Sequence, residues 1–159
     1  MIEDGLWLAL FPASYIIHFA EEFWGGEGYS AYLYRLRGIA ITKHRFVILQ
    51  ALGFVLFVVG CAVSYSLNFP QLMIAILSGF VFGNGVSHTI TAIADRRYGP
   101  GLIASAVLWI PLGVISIWLL LGRMSNLRLV VGVVIGLAIN GAVALATLRG
   151  GKIAEARTK

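Results

Sequence analysis

Charge is scarce in this chain. Of 159 residues, 12% are Asp, Glu, Lys or Arg against 59% hydrophobic, and the mean hydropathy is +0.89. So little charge excludes an ordinary soluble domain and marks a single membrane domain over residues 1–159. Cysteine is scarcer still. Cys61 stands alone in an apolar run, which excludes a disulfide framework and a thiolate metal site and leaves it as a packing residue. A basic leader is missing: Met1, Ile2, Glu3 and Asp4 open the chain with acid where a secretory signal is basic, so the first apolar segment is expected to be retained. Repeats and low-complexity tracts are lacking too. The net charge is +5, but its basic residues lie between apolar runs and at the tail rather than on one soluble face. That excludes nucleic acid as a partner and points to orientation in a bilayer.

What the chain does contain is a series of apolar runs. Their lengths predict an all-α polytopic membrane bundle of five transmembrane helices, at about residues 5–24, 44–66, 69–94, 100–122 and 127–148. The four prolines fit this division. Pro12 and Pro111 lie inside spans and are expected to bend them, Pro70 belongs to a tight turn, and Pro100 suits the first turn of the fourth span. Between the first two spans, Tyr29, Tyr32, Leu33 and Leu36 recur at i, i+3, i+4, i+7, which predicts a short helix lying in the interface with its tyrosines at headgroup level. Counting Lys and Arg on the two sides of five spans leaves only Arg123 and Arg128 on one side and ten on the other. The positive-inside rule then predicts a cytoplasmic (inner) membrane protein with its N-terminus outside and its C-terminus in the cytoplasm.

Against this background the polar residues inside the spans stand out. His18, Glu21 and Glu22 end the first span, and such groups persist at membrane depth when they are paired, metal-bound or facing a wet cavity. The third span runs in the same direction and carries Asn84, His88, Thr91 and Asp95 at i, i+4, i+7, i+11, on one narrow face. His44 opens the second span at the same end, and Asn140 lies past the middle of the fifth. All three histidines therefore fall in one half of the membrane.

His18 lies i, i+4 from Glu22 and i, i+3 from Glu21, so one helix can offer the imidazole and either carboxylate to the same ion, and His88 supplies a third ligand. Two histidines and a carboxylate with an open position make up a catalytic zinc site, and equally a non-haem iron centre. The remaining glutamate, Glu21 or Glu22, is then available as general base or as a bridge to a second metal, and Asn84 or Asn140 to orient a substrate carbonyl or an imidazole. The same residues also work without metal. Two adjacent carboxylates cannot easily both ionise at low dielectric, so a cavity lined by Phe19, Trp24, Phe82 or Trp109 could isomerise or cyclise an isoprenoid-like or sterol-like substrate. An ion or proton carrier is the third reading, although beyond Ser14, Tyr15, Ser64 and Ser116 little polar residue continues into the outer half. His44 beside Lys43 and Arg45, and Asp95 beside Arg96 and Arg97, read more simply as interfacial groups. Asn140 shares a face with Gly132 and Gly136, a small-residue surface suited to close helix packing or to a second copy of the chain.

The motif His18, Glu21, Glu22, followed by Asn84 and His88 and then by Tyr98, Gly99, Pro100 and Gly101 opening the next span, resembles the HXXEE-motif family of small membrane proteins. The similarity runs from the first span through the fourth. It implies a membrane protein suspected to be an enzyme, with His18, Glu21, Glu22, Asn84 and His88 as its candidate site. It implies no substrate, metal or reaction. More loosely, the architecture resembles that of emopamil-binding sterol isomerases and membrane terpene cyclases. The expectation is thus a membrane enzyme holding a divalent metal, zinc or iron, on His18, Glu22 and His88, with an apolar small molecule or lipid from the bilayer as its substrate.

Overall fold

A computed structural model describes residues 4–157, and every regular element among them is helical. Helix α1 (Asp4–Trp24) leads to a short α2 (Tyr29–Arg37), then α3 (Lys43–Ser66), α4 (Pro70–Asp95), α5 (Leu102–Leu120) and α6 (Asn126–Arg157). Among the described residues four helices are long and apolar enough to cross a membrane: α3, α4, α5 and the Asn126–Thr147 part of α6. This is an all-helical membrane protein. α1 is 21 residues long, but His18, Glu21 and Glu22 make it more polar, so length and apolarity alone support four crossings.

Local chemistry sets the boundaries. The Thr42 hydroxyl accepts from the Arg45 backbone N–H at 3.2 Å and so caps α3. Pro70 begins α4, where its missing N–H would have had no helical partner. Pro100 does not begin α5. That helix opens at Leu102, after Gly101 has turned the chain with φ +86°, a conformation that suits glycine. Within α5, Ser105–Trp109 form a wide π turn directly before Pro111. A proline ring has no N–H for the ladder and crowds the carbonyl four residues back, so the expected disturbance takes the form of a widened turn, with Ser105 and Trp109 both buried.

α4 is the central helix, with α1, α3, α5 and α6 all packed on it. Ile74 and Val81 of α4 meet Phe11 of α1 and Trp109 of α5 in a core that is almost fully buried. α6 comes closest. A Cβ added to Gly132 would stand 2.7 Å from Ala75 Cβ, and one on Gly136 would collide with the Ile76 carbonyl oxygen. Small residues let membrane helices gain dispersion contacts where no hydrophobic effect draws them together. The Gly132 and Gly136 face, expected as a possible seam between copies, is therefore covered by α4 of the same chain.

α2 adds a packing role that its sequence pattern does not specify. It forms at the predicted place, but Tyr32 and Leu33 are buried and Tyr29 stacks on Phe46 with ring centroids 5.2 Å apart. Leu33, Ile39, Ile41 and Phe46 build a second small core against Phe19 and Phe23. The apolar face of α2 thus docks on its own bundle, and Tyr34 is its exposed tyrosine.

The tight α4–α6 crossing reverses the usual effect of a helical glycine. Gly136→Ala should destabilise the protein by about 1–3 kcal/mol through overpacking. Gly141→Ala, whose added Cβ has nothing within 4 Å, should stabilise it by up to about 1 kcal/mol through helix propensity. Thermal unfolding in detergent measures both, and a rise in both variants would contradict the crossing.

Candidate metal centre

The helical rise places His18 and Glu22 one turn apart on the buried side of α1, where they are 3% and 4% exposed. α4 brings His88 against them. Glu22 Oε1 lies 3.6 Å from His18 Nε2 and 3.3 Å from His88 Nε2, and one ligand atom from each of the three residues can be chosen within 4.8 Å of the others. These three residues therefore form a group that can hold a metal ion. The other carboxylate oxygen, Oε2, accepts from Gln50 Nε2 of α3 at 2.5 Å, and Gln50 Oε1 accepts from the Tyr15 hydroxyl at 2.5 Å. Glu22 is thus gripped on both oxygens, which fixes the direction in which it presents charge.

The walls are equally specific. The Trp109 indole stacks on the His18 ring at 3.7 Å and its Nε1 donates to Ser14 Oγ at 3.2 Å. Gly101 closes the site from the loop before α5. A Cβ there would stand 2.9 Å from Cε1 of both His18 and His88 and 3.0 Å from Glu22 Cγ, so only a glycine lets this backbone lie over the three side chains. His18 Nδ1 is buried without a hydrogen-bond partner, so the imidazole has one nitrogen still to satisfy.

Glu21 faces elsewhere. One position along a helix turns a side chain by about 100°, and Glu21 accepts from the Ile103 and Ala104 backbone N–H groups at 2.8 and 2.5 Å and from the Tyr98 hydroxyl at 2.7 Å. It caps the N-terminus of α5 from outside that helix, where the orphan N–H groups and the helix dipole favour an anion. The carboxylate expected as a general base beside the metal ligands is instead engaged in holding the roof of their site.

The remaining candidates divide. Asn84, one turn from His88, donates from Nδ2 to Asn140 Oδ1 at 3.2 Å, and its own Oδ1 is buried and unpartnered. In this arrangement Asn84 turns an unpartnered amide oxygen toward hydroxyl or N–H donors and keeps a second amide N–H beside the one that Asn140 accepts. Both asparagines line a cavity of about 1000 Å³ that also reaches His18, Glu22, His88 and Trp109. His44 is exposed at the start of α3 and lies outside the metal group. Asp95 accepts from Arg35 Nη2 at 3.0 Å while Arg35 Nε donates to Glu27 Oε1 at 2.8 Å. Asp95 therefore fastens α2 to the end of α4 and leaves the centre alone, and its partner is Arg35 rather than the adjacent arginines. Of the expected aromatic walls only Trp109 lines the cavity; Trp24 is largely exposed.

Gln50 was not anticipated. The signal was present, since it is the one amide in the apolar run of α3, six residues past His44. Tyr15 had been placed with outer-half polar groups and in fact reaches the centre through Gln50. Tyr29 of α2 adds a phenol 6.3 Å from the His88 ring, its pKa raised by burial and by the Glu22 charge.

The fold and this geometry define the class: a helical membrane protein with a buried two-histidine, one-carboxylate centre beside an apolar cavity. Residues 9–119 match the family model described as a protein of unknown function with HXXEE motif, and the chain belongs to that family. The motif itself is His18, Phe19, Ala20, Glu21 and Glu22. No curated protein and no solved structure matches the chain.

Two outcomes follow from Glu21. Glu21→Ala removes the α5 cap and should lower stability by about 1 kcal/mol or more, while the three candidate ligands remain in place. Burial and the Glu21 hydrogen bond push the Tyr98 phenol up from 10.0 to about 12. A raised folded-state pKa means that protonated Tyr98 stabilises fully below pH 10 and loses that contribution as pH climbs towards 12. Melting temperatures across that alkaline window should fall in the wild type and fall less steeply in Tyr98→Phe.

Proposed function

We propose that this protein is a metal-dependent membrane enzyme acting on a lipid-like or otherwise apolar substrate. The observation that carries this reading is the convergence of His18, Glu22 and His88, from two helices, at a buried point beside a large apolar cavity. The donor set suits zinc or non-haem iron, and either would supply Lewis-acid or oxygen chemistry for hydrolysis or oxidation. Around it the chain's own residues act. Gln50 holds Glu22 in register, Trp109 shields one face of His18 from water, and Asn84 orients a donor group of the substrate deeper in the cavity.

α1 is proposed as a fifth crossing. At 1.5 Å per residue its length is about 31 Å, close to the hydrocarbon thickness. Gln71 Nε2 donates to Asp4 Oδ2 at 3.4 Å near the start of α4 while His88 meets Glu22 farther along, so α1 and α4 run side by side in one direction. With the Lys and Arg asymmetry, this supports an inner-membrane protein whose N-terminus is outside and whose centre lies in the cytoplasmic half.

A metal-free isomerase or cyclase draws support from Trp109 stacked on His18, as aromatic faces stabilise cations. It loses support from the separation of Glu21 and Glu22, because the carboxylate pair it needs is divided between two tasks. The carrier reading is weaker still. Ser14 and Ser64 donate to carbonyls within their own helices and Ser116 accepts from Trp7 Nε1, so these groups are engaged in local or helix-to-helix bonds rather than in a continuous path.

Elemental analysis of the detergent-purified protein decides between the first two readings. About one metal per chain is expected, lost in His18→Ala and His88→Ala and kept in His44→Ala. Background metal in the wild type, unchanged by the first two substitutions, would overturn the metal reading.

A further inference from the structure

The cavity runs on from the metal group along α4. Counting back along that helix, His88, Asn84, Phe80, Leu77 and Met73 all line it, so a candidate ligand, an amide and then apolar side chains follow one another in order. At 1.5 Å per residue Asn84 lies about 6 Å from His88, and Met73 about 22 Å. The other sides are α3 and α6, which each pack on α4 and leave a gap between them. Leu52 and Leu56 of α3 and Ile139 and Val143 of α6 line the cavity and yet are 57%, 71%, 44% and 50% exposed, so both edges of the gap also face outward. Both helices are apolar enough to lie in a membrane, and the gap therefore opens sideways into hydrocarbon.

Asn84 is the polar point on this route. Its Nδ2 donates to Asn140 Oδ1 of α6 at 3.2 Å, and that bond holds the carboxamide in place. Its Oδ1 is buried and has no donor among the described residues. A buried amide oxygen without a hydrogen bond is costly and rare. The hydroxyls next along α4 are already engaged, Ser87 with the Gly83 carbonyl at 2.9 Å and Thr91 with the Ser87 carbonyl at 2.7 Å. The donor that Asn84 lacks is left to whatever fills the cavity.

We infer that the substrate is a lipid carrying a hydroxyl or amide N–H donor about 6 Å from its reacting group, bound with that donor on Asn84 Oδ1 and entering sideways between α3 and α6. This rests on the lipid-substrate part of the function proposed above and adds the polar group that the site selects, the register and the route. The order along α4 sets the register: reacting bond at the metal group, donor at Asn84, hydrocarbon beside Phe80, Leu77 and Met73. A lipid without the donor leaves the Asn84 oxygen unpaired, and a site built around a hydrogen bond rejects such an analogue for that reason.

The test uses the full-length protein in phosphatidylcholine nanodiscs with two matched pairs of probes, each carrying a diazirine on its chain. One pair is a long-chain 1,4-diol and its 4-O-methyl ether; the other is an N-acyl-4-aminobutanol and its N-methyl derivative. In at least one pair the donor-bearing probe should label the α3 and α6 groove residues about tenfold more than its methylated twin, and the pair that does so identifies the donor. Asn84→Leu should bring that pair to parity. Asn140→Ala, a milder change that lets the Asn84 carboxamide rotate, should lower the preference, and Val143→Trp should block groove labelling by every probe. Parity in both pairs, the result if water satisfies the Asn84 oxygen, would overturn the inference. So would labels spread over all lipid-facing helices, or a preference unchanged in both asparagine variants, which would trace it to the bulk of the added methyl. Metal content measured on the same preparations separates the two readings. Metal without donor preference defeats this inference alone, and donor preference without metal supports it while defeating the metal chemistry.

Discussion

A carboxylate buried inside the helical bundle sets the terms for this fold. Unpaired, an ionised group there would carry a desolvation penalty of several kcal/mol, and a stable fold requires that partners be brought to it. Glu22 obtains them from three helices: His18 from its own, Gln50 from α3 and His88 from α4. Meeting that demand brings α1, α3 and α4 together at one level and leaves two imidazoles aimed at one oxygen. The same arrangement that makes the charge tolerable also makes a ligand set.

The neighbouring carboxylate shows how two adjacent residues can serve different parts of the site. Glu21 points about 100° away from Glu22 around the helix and satisfies the start of α5. By anchoring that start it holds the Gly101 backbone over His18 and His88, while the π turn in the same helix keeps Trp109 buried against the His18 ring. The HXXEE motif thus contributes two of the three candidate ligands, His18 and Glu22, and the fastening of a wall from Glu21. Pairing between α2 and the end of α4, through Arg35, Glu27 and Asp95, secures the opposite rim.

Much of the centre was legible because its signals are local. The i, i+4 spacing of His18 and Glu22 and the shared face of Asn84 and His88 depend only on helix geometry, and both pairs lie where that geometry puts them. Gln50 was passed over because a single amide in an apolar run has no periodic pattern to announce it. α2 was read as an interfacial helix because its sequence carries one apolar face whether that face meets lipid or protein. The glycines of α6 were ambiguous in the same way, since a small-residue stripe suits any close neighbour, and here the neighbour is α4.

The sequence by itself determined that this is a helical membrane protein, which polar residues share a turn, and that histidines and carboxylates gather at one end of the bundle. Those properties follow from hydropathy, rise and angle per residue, all of which act within a single segment. Only the tertiary structure decided that Glu22 rather than Glu21 joins the histidines, that Gln50 and Tyr15 brace it, that Gly101 roofs it, and that α3 and α6 stand apart over a cavity. Lateral packing between helices depends on the shape of the facing surface, and that information lies in distant parts of the chain that meet only when it folds.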